Sequence, residues 1–204
     1  MLVEGIKSRP LYGTLEPRPG RLHLVAANDE GALAVLEMVG AAPAGFLART
    51  HIVYVPGGSA GKQAAERHGA RLTALGAASY QEVPTDGDAV GVIAAGLADA
   101  GMGTQVYVAG TENLIAQVIA AALEAGLDPD ATLAEHRGSL ERRVQCVHCK
   151  AITEHVTTQP ATCSGCGLSL LVRDHFSRRI GAFQGVCVDA EEPGTAPPPE
   201  PVFA

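Results

Sequence analysis

A chain of 204 residues has room for one domain of ordinary size and a small appendage. Its hydrophobic content of 47% supports a real core, but only 4% is aromatic and Trp is absent, so that core is built from Ala, Val, Leu and Ile. A net charge of −7 excludes a general nucleic-acid binder, which needs surplus Lys and Arg to neutralise phosphates, and no apolar run approaches the roughly 20 residues of a membrane helix.

The first residues, MLVEGIKSRPLYG, lack the charged-then-apolar pattern of a secretory leader. Four of the five cysteines fall into two Cys-x-x-Cys pairs, which suits a metal site in a reducing compartment rather than a disulfide framework. The expected location is cytoplasmic.

In chain order, residues 1–20 carry three prolines and two Arg-Pro steps and read as an extended N-terminal arm, with regular structure starting at Arg21. LHLVAA (Leu22 to Ala27) reads as a buried strand, and DEGALAVLEMVG as a helix opened by Asp29 and Glu30. HIVYVP is a second strand, AGKQAAERHG a helix closed by Gly69, and ARLTALG a third, shorter strand. DAVGVIAAGLADAG reads as a helix in spite of two interior glycines, and TQVYVAG as a β-branched strand ended by Gly110.

TENLIAQVIAAALEAG follows with Thr111 at the N-cap and Glu112 in the first turn. Leu114, Ile115, Val118, Ile119 and Ala122 share one face, and Gly126 stands where a terminating glycine belongs. ATLAEH is the last strand of the series. Strands alternating with helices over residues 21–138 mean an α/β domain, a doubly wound parallel sheet covered on both faces.

Composition changes at Ser139. Residues 139–186 form a second module holding four cysteines, and residues 187–204, EEPGTAPPPEPVFA at their end, read as a flexible, proline-rich acidic tail. Within the module, CVHCKAITEHVTTQPATCSGC sets the pair Cys146 and Cys149 apart from the pair Cys163 and Cys166 by a spacer of thirteen residues. Each Cys-x-x-Cys turn points two sulfurs at one ion, and two turns joined by a hairpin close a tetrahedron. Four thiolates hold zinc as a structural staple, and they also suit a single iron, which would make the module an electron carrier. The spacer is that of a zinc ribbon, and zinc is the favoured ion.

His148 and His155 are the alternative ligands, read as solvated loop residues. Cys187 reads as a small buried hydrophobe. Arg173, Arg178 and Arg179, in RDHFSRRIGAF, form a solvated or docking face, and Arg142, Arg143, Arg178 and Arg179 are the candidates for any nucleic-acid contact.

GGSAGK (Gly57 to Lys62) sits where a phosphate loop would, but Pro56 replaces its first glycine and Gln63 its Ser/Thr, so the ATPase and GTPase readings fall; a loose anion site on backbone N–H groups stays open. The first strand ends in Ala26, Ala27 and Asn28 rather than a Gly-x-Gly-x-x-Gly turn. No carboxylate pair or Ser-His-Asp order marks an independent active site.

VYVAGTENLIAQVIAAALEAGLDPDATLAEH resembles the end of the nucleotide-binding domain of ferredoxin reductase-type flavoproteins, with Gly110 and Glu135 matching and Ala109 and Thr111 departing from a Cys-Gly-Pro turn. Such a domain, followed by CVHC…CSGCG and then HFSRRIGAFQGV, resembles the DmmA-type subunit of dimethylamine monooxygenase. The resemblance implies an accessory subunit of a complex that oxidatively demethylates secondary amines. It also implies a haem-containing oxygenase subunit and a flavin and iron-sulfur reductase subunit as partners, which would carry the NADPH, flavin, iron-sulfur cluster and haem. Two other readings stay open: an iron electron carrier between those subunits, and a zinc-ribbon binding protein outside any oxidoreductase.

Overall fold

The computed structural model describes residues 10–57 and 61–203. The chain divides into two compact units, Tyr12–Ser139 and the segment from Leu140 onward.

The first unit alternates strands and helices. β1 (Leu22–Asn28), α1 (Gly31–Gly40), β2 (Thr50–Val55), α2 (Lys62–Thr73), β3 (Ser79–Glu82), α3 (Asp86–Ala98), β4 (Thr104–Gly110), α4 (Glu112–Glu124) and β5 (Thr132–His136) follow in turn. The strands make one sheet in the order β3-β2-β1-β4-β5, with every pairing parallel. β1 is the central strand, and its register sets Ala26 between Val53 and Val108.

Alternation along the strands divides the core in two. Leu24, Ala26, Val53, Val106 and Val108 face α3 and α4 through Ile93, Leu97, Leu114, Ile115 and Val118. Val25, Ala27, Ile52, Tyr107 and Ala109 face the other way, toward Ala32, Val35 and Met38 of α1 and Leu72 of α2. Both faces of the sheet are therefore covered, the doubly wound arrangement expected from the alternation. Each fully buried Leu, Ile or Val adds about 1.5–3 kcal/mol of transfer free energy, so the paired cores are what hold the sheet.

Three expectations change. The stretch ARLTALG is not a strand: Ala70–Thr73 completes α2, and the third strand is Ser79–Glu82. Leu72 belongs to the helix face that enters the core. Gly69 does not stop the helix, which runs on to Thr73. β3 is polar and mostly exposed, so it leaves no apolar run to find.

Second, Tyr12–Gly20 is a packed strap rather than an extended arm; residues 1–9 lie outside the described residues. Leu15 is buried in the core on the α1 side, its N–H donates to Glu135 Oε2 at 2.7 Å, and the Arg18 N–H donates to the Tyr107 hydroxyl at 2.9 Å.

The second unit holds β6 (Arg142–Cys146), β7 (Ile152–Val156), β8 (Thr158–Gln159), β9 (Ala161–Thr162), β10 (Ser169–Ser177), β11 (Ala182–Cys187) and β12 (Glu200–Pro201). Five strands form a sheet in the order β7-β6-β11-β10-β9, in which only β6 and β11 run parallel. β12 pairs with β8 in a two-stranded sheet.

That pairing is the third change, because the end of the chain is not a free tail. The N–H groups of Val202 and Phe203 both donate to the Thr157 carbonyl at 2.9 Å, and Phe203 is buried. One aromatic residue and one strand edge supply what the proline-rich stretch before them lacks.

Candidate metal centre

The two Cys-x-x-Cys turns repeat one backbone pattern. In the first, Cys146 ends β6, its N–H donates to the Ala151 carbonyl at 2.9 Å, and its carbonyl accepts from the Lys150 N–H at 3.0 Å. In the second, the Cys163 N–H donates to the Leu168 carbonyl at 2.9 Å, and its carbonyl accepts from the Gly167 N–H at 3.0 Å. Both turns close through a left-handed residue at the same offset, Lys150 at φ 65° and Gly167 at φ 74°. Glycine takes that conformation freely; lysine takes it at a cost, which its Nζ offsets in part by donating to the Val147 carbonyl at 2.8 Å.

These turns bring all four sulfurs within 4.8 Å of one another. Cys146 Sγ lies 3.9 Å from Cys166 Sγ, and Cys149 Sγ lies 3.6 Å from Cys163 Sγ. A tetrahedral ion bound by sulfurs at about 2.3 Å sets each pair of sulfurs about 3.8 Å apart, so the two distances bracket the edge of such a tetrahedron. All five cysteines of the chain are free thiols.

The surroundings fit an ion in three further ways. A Cβ on Gly165 would lie 2.5 Å from the Ala151 Cβ and 3.2 Å from Cys149 Sγ, so only glycine lets the second turn close over the first. Thr153 and Ser164 clasp the second turn to β7: the Ser164 N–H donates to Thr153 Oγ1 at 3.0 Å, and Ser164 Oγ donates to the Ile152 carbonyl at 3.2 Å.

The electrostatics also favour a cation. Burial opposes charge on Cys163, yet the backbone N–H groups of Cys166 and Gly165 and the neighbouring thiols bring its pKa down to about 6. The Leu168 N–H favours a Cys166 thiolate, but burial and the hydrogen bonds shared with Cys163, Cys149 and Cys146 push that pKa up to about 12. Metal binding requires the thiols to give up their protons, and the N–H groups around Cys163 already favour its thiolate.

Cys146 and Cys163 are buried, Cys166 is half-buried and Cys149 is exposed. Among the described residues the cluster comprises these four alone. His148 is exposed in the first turn, and His155 Nδ1 lies 2.8 Å from Glu141 Oε1. Cys187 is half-buried rather than buried, and its Sγ donates to Asp189 Oδ1 at 3.2 Å.

The arginines separate sharply. Arg142 is buried, with its guanidinium 4.2 Å from the ring centroids of both Phe183 and Phe203 and 2.8 Å from Asp174 Oδ1. Arg143 pairs with Glu154 at 2.8 Å and donates to the Ile180 carbonyl. Neither offers its charge to a nucleic acid. Arg173, Arg178 and Arg179 are exposed on β10 and the turn that follows it.

In the other unit, Gly58, Ser59 and Ala60 of the GGSAGK loop lie outside the described residues. Lys62 begins α2 fully exposed and lies 3.9 Å from Glu66. Glu135, the late glutamate of the reductase-like segment, is buried and spent on Leu15 and Arg137.

Residues 4–132 match a family model described as dimethylamine monooxygenase subunit DmmA-like, N-terminal domain, and residues 143–186 match the corresponding C-terminal domain. The chain belongs to the DmmA-like family. A relative from Ectopseudomonas mendocina (strain ymp), described as the heme-dependent oxidative N-demethylase delta subunit, is 35% identical over 123 residues, which cover 60% of this chain and 69% of the relative. Among solved structures, an intact type IV self-sufficient cytochrome P450 monooxygenase is 22% identical at a TM-score of 0.42, over 65% of this chain and 17% of that one. A flavohemoglobin from Malassezia yamatoensis with bound FAD and heme is 17% identical at a TM-score of 0.41, over 61% of this chain and 34% of that one. Among the described residues no helix is long and apolar enough to cross a membrane.

The two turns and their paired spacing are visible in the sequence. Gly165, the Thr153–Ser164 clasp and the Arg142 stack were not foreseen. The repeated Cys-x-x-Cys-x-Ala/Leu pattern at Cys146–Ala151 and Cys163–Leu168 carries the shared hydrogen bonding and is the one local clue to it.

Proposed function

We propose that this chain is an accessory subunit of a haem-dependent amine N-demethylase, and that Cys146, Cys149, Cys163 and Cys166 hold a zinc ion that staples its C-terminal unit. The observation that carries the metal reading is the set of four sulfurs, all within 4.8 Å of one another, on two matching turns. Four thiolates leave zinc no open position for substrate, so the ion's work is structural and the subunit is non-catalytic on its own. Membership of the complex is supported by the family and by the relative described as a delta subunit. The partners are a haem-containing oxygenase subunit and a flavin and iron-sulfur reductase subunit, which carry the NADPH, flavin, cluster and haem, and the substrate is dimethylamine.

The docking surface is the β10–β11 hairpin. Between residues 141 and 180, Asp174 is paired with Arg142, Glu154 with Arg143 and Glu141 with His155. Arg178 and Arg179 stay exposed at the hairpin turn and make no ion pair among the described residues. Such a tip favours an acidic partner surface, with binding that weakens as salt rises.

Two measurements test the reading. Metal analysis with a visible spectrum, on protein purified without added metal, should give one zinc per chain and no colour. One iron and a reducible red chromophore would instead make the chain an electron carrier between the partner subunits. Size-exclusion chromatography with the purified haem subunit should give a salt-sensitive complex. Co-elution at no salt concentration would remove the accessory-subunit reading.

A further inference from the structure

We infer that the end of the parallel sheet where a doubly wound domain ordinarily takes a dinucleotide is sealed by this chain's own side chains, so that the α/β unit binds no pyrophosphate-containing nucleotide. In such sheets a ligand sits beyond the carboxyl ends of the strands, where the strand order reverses. Here the reversal falls between β1 and β4, and the crevice would lie between the last residues of those strands and the first turns of α1 and α4.

Asn28, the buried last residue of β1, fills it. Its Nδ2 donates to Asp86 Oδ1 and to Thr111 Oγ1, both at 3.0 Å, and its Oδ1 accepts from the Thr111 N–H at 2.9 Å. Asn113 Nδ2 donates to the second Asp86 oxygen at 3.1 Å. These bonds join β1, the start of α3 and the start of α4 across the switch point.

The backbone beside this plug is closely packed. A Cβ on Gly110 would lie 1.8 Å from Asn28 Oδ1. A Cβ on Gly31, the first residue of α1, would lie 2.1 Å from the Ala109 carbonyl oxygen, so the first turn of α1 rests directly on the end of β4.

The donors and the charge point the same way. A helix N-terminus binds phosphate through N–H groups left without partners. At the start of α1 the Ala32 N–H bonds to the Asp29 carbonyl at 3.4 Å and the Leu33 N–H to the Glu30 carbonyl at 2.9 Å. The Leu114 N–H points at Thr111 Oγ1. Asp29 and Glu112, both buried, place carboxyl groups at the two helix starts, where a phosphate would otherwise be held. The plug performs the tie across the sheet that a bound cofactor performs in a nucleotide-dependent domain.

The test uses the full chain with NADPH, NADH and ATP as probes, by equilibrium dialysis and by thermal unfolding in their presence. No saturable binding at millimolar concentration and an unchanged midpoint are expected; saturable binding of any of the three overturns the inference. Asn28→Ala should unfold several degrees lower, with no recovery on adding NADPH. A variant that melts with the wild type, or that NADPH restores, overturns it as well. Dialysis on the wild type decides the question even if the variant does not fold.

Discussion

The guanidinium of Arg142 lies 4.2 Å from the ring centroid of Phe203, which ties the end of the described chain to the strand that carries the first metal-site cysteine. Phe183 takes the opposite contact at the same distance, and Asp174 holds the charge at 2.8 Å. A desolvated cation between two rings is worth about 2 kcal/mol or more. Phe203→Ala should therefore destabilise the C-terminal unit by about 2 kcal/mol, short of a full core deletion because the tail meets the fold from one side. Limited proteolysis should then cut within residues 188–200 faster than in the wild type. Equal cleavage rates would mean that the stack does not hold the tail.

Metal removal is the next test. A structural four-thiolate ion carries folding free energy on the order of 10 kcal/mol in small modules that fold only when loaded. Stripping it with a strong chelator, or replacing the buried Cys146 or Cys163 with Ser, should abolish the transition of the C-terminal unit. The α/β unit, with its own core on both faces of a sheet, should keep its transition. Calorimetry reads the two separately, and an unchanged thermogram after metal removal would refute a structural ion.

What could be read ahead of the structure was local. The cysteine turns need only residues within a few positions of one another, and β1, β4 and α4 carry apolar runs that lie mostly inside the core. What was hidden depends on distant partners. β3 is an exposed edge strand made of SYQE, and its place was hidden behind the helical face of ARLT. Leu15 became core only because Glu135, 120 positions away, takes its N–H. Phe203 stands in a stretch of Pro and Glu whose composition alone argues for disorder, and the buried Arg142 reads in the sequence as one more surface charge.

Two glycine substitutions should move stability in opposite directions. Gly31→Ala sets a methyl group against the backbone carbonyl of Ala109, an obstacle that cannot rotate away. It should cost about 3 kcal/mol. Gly91, inside α3, has nothing within 4 Å of a Cβ. Gly91→Ala should stabilise by about 0.5–1 kcal/mol through helix propensity and the unfolded chain. Denaturant unfolding of the two variants beside the wild type checks the pair, and a harmless Gly31→Ala would show that α1 does not rest on β4.

His23 gives the α/β unit a pH dependence whose sign follows from its surroundings. Its ring is 1% exposed, stacked 4.1 Å from Phe46 and edge-on to Tyr107, with Nδ1 3.3 Å from Thr50 Oγ1. Burial lowers its pKa below the ordinary 6.5; the Phe46 and Arg18 carbonyls oppose that, while Arg49 adds to it. The unfolded chain then takes up a proton at a pH where the folded one does not. Stability is complete above the ordinary value and is lost as pH falls below it, with a slope of at most about 1.4 kcal/mol per pH unit for one proton. His23→Gln keeps a polar group near Thr50 and does not titrate, so its stability should change less between about pH 7 and about pH 5. Identical slopes for the variant and the wild type over that range would assign the acid sensitivity to other groups.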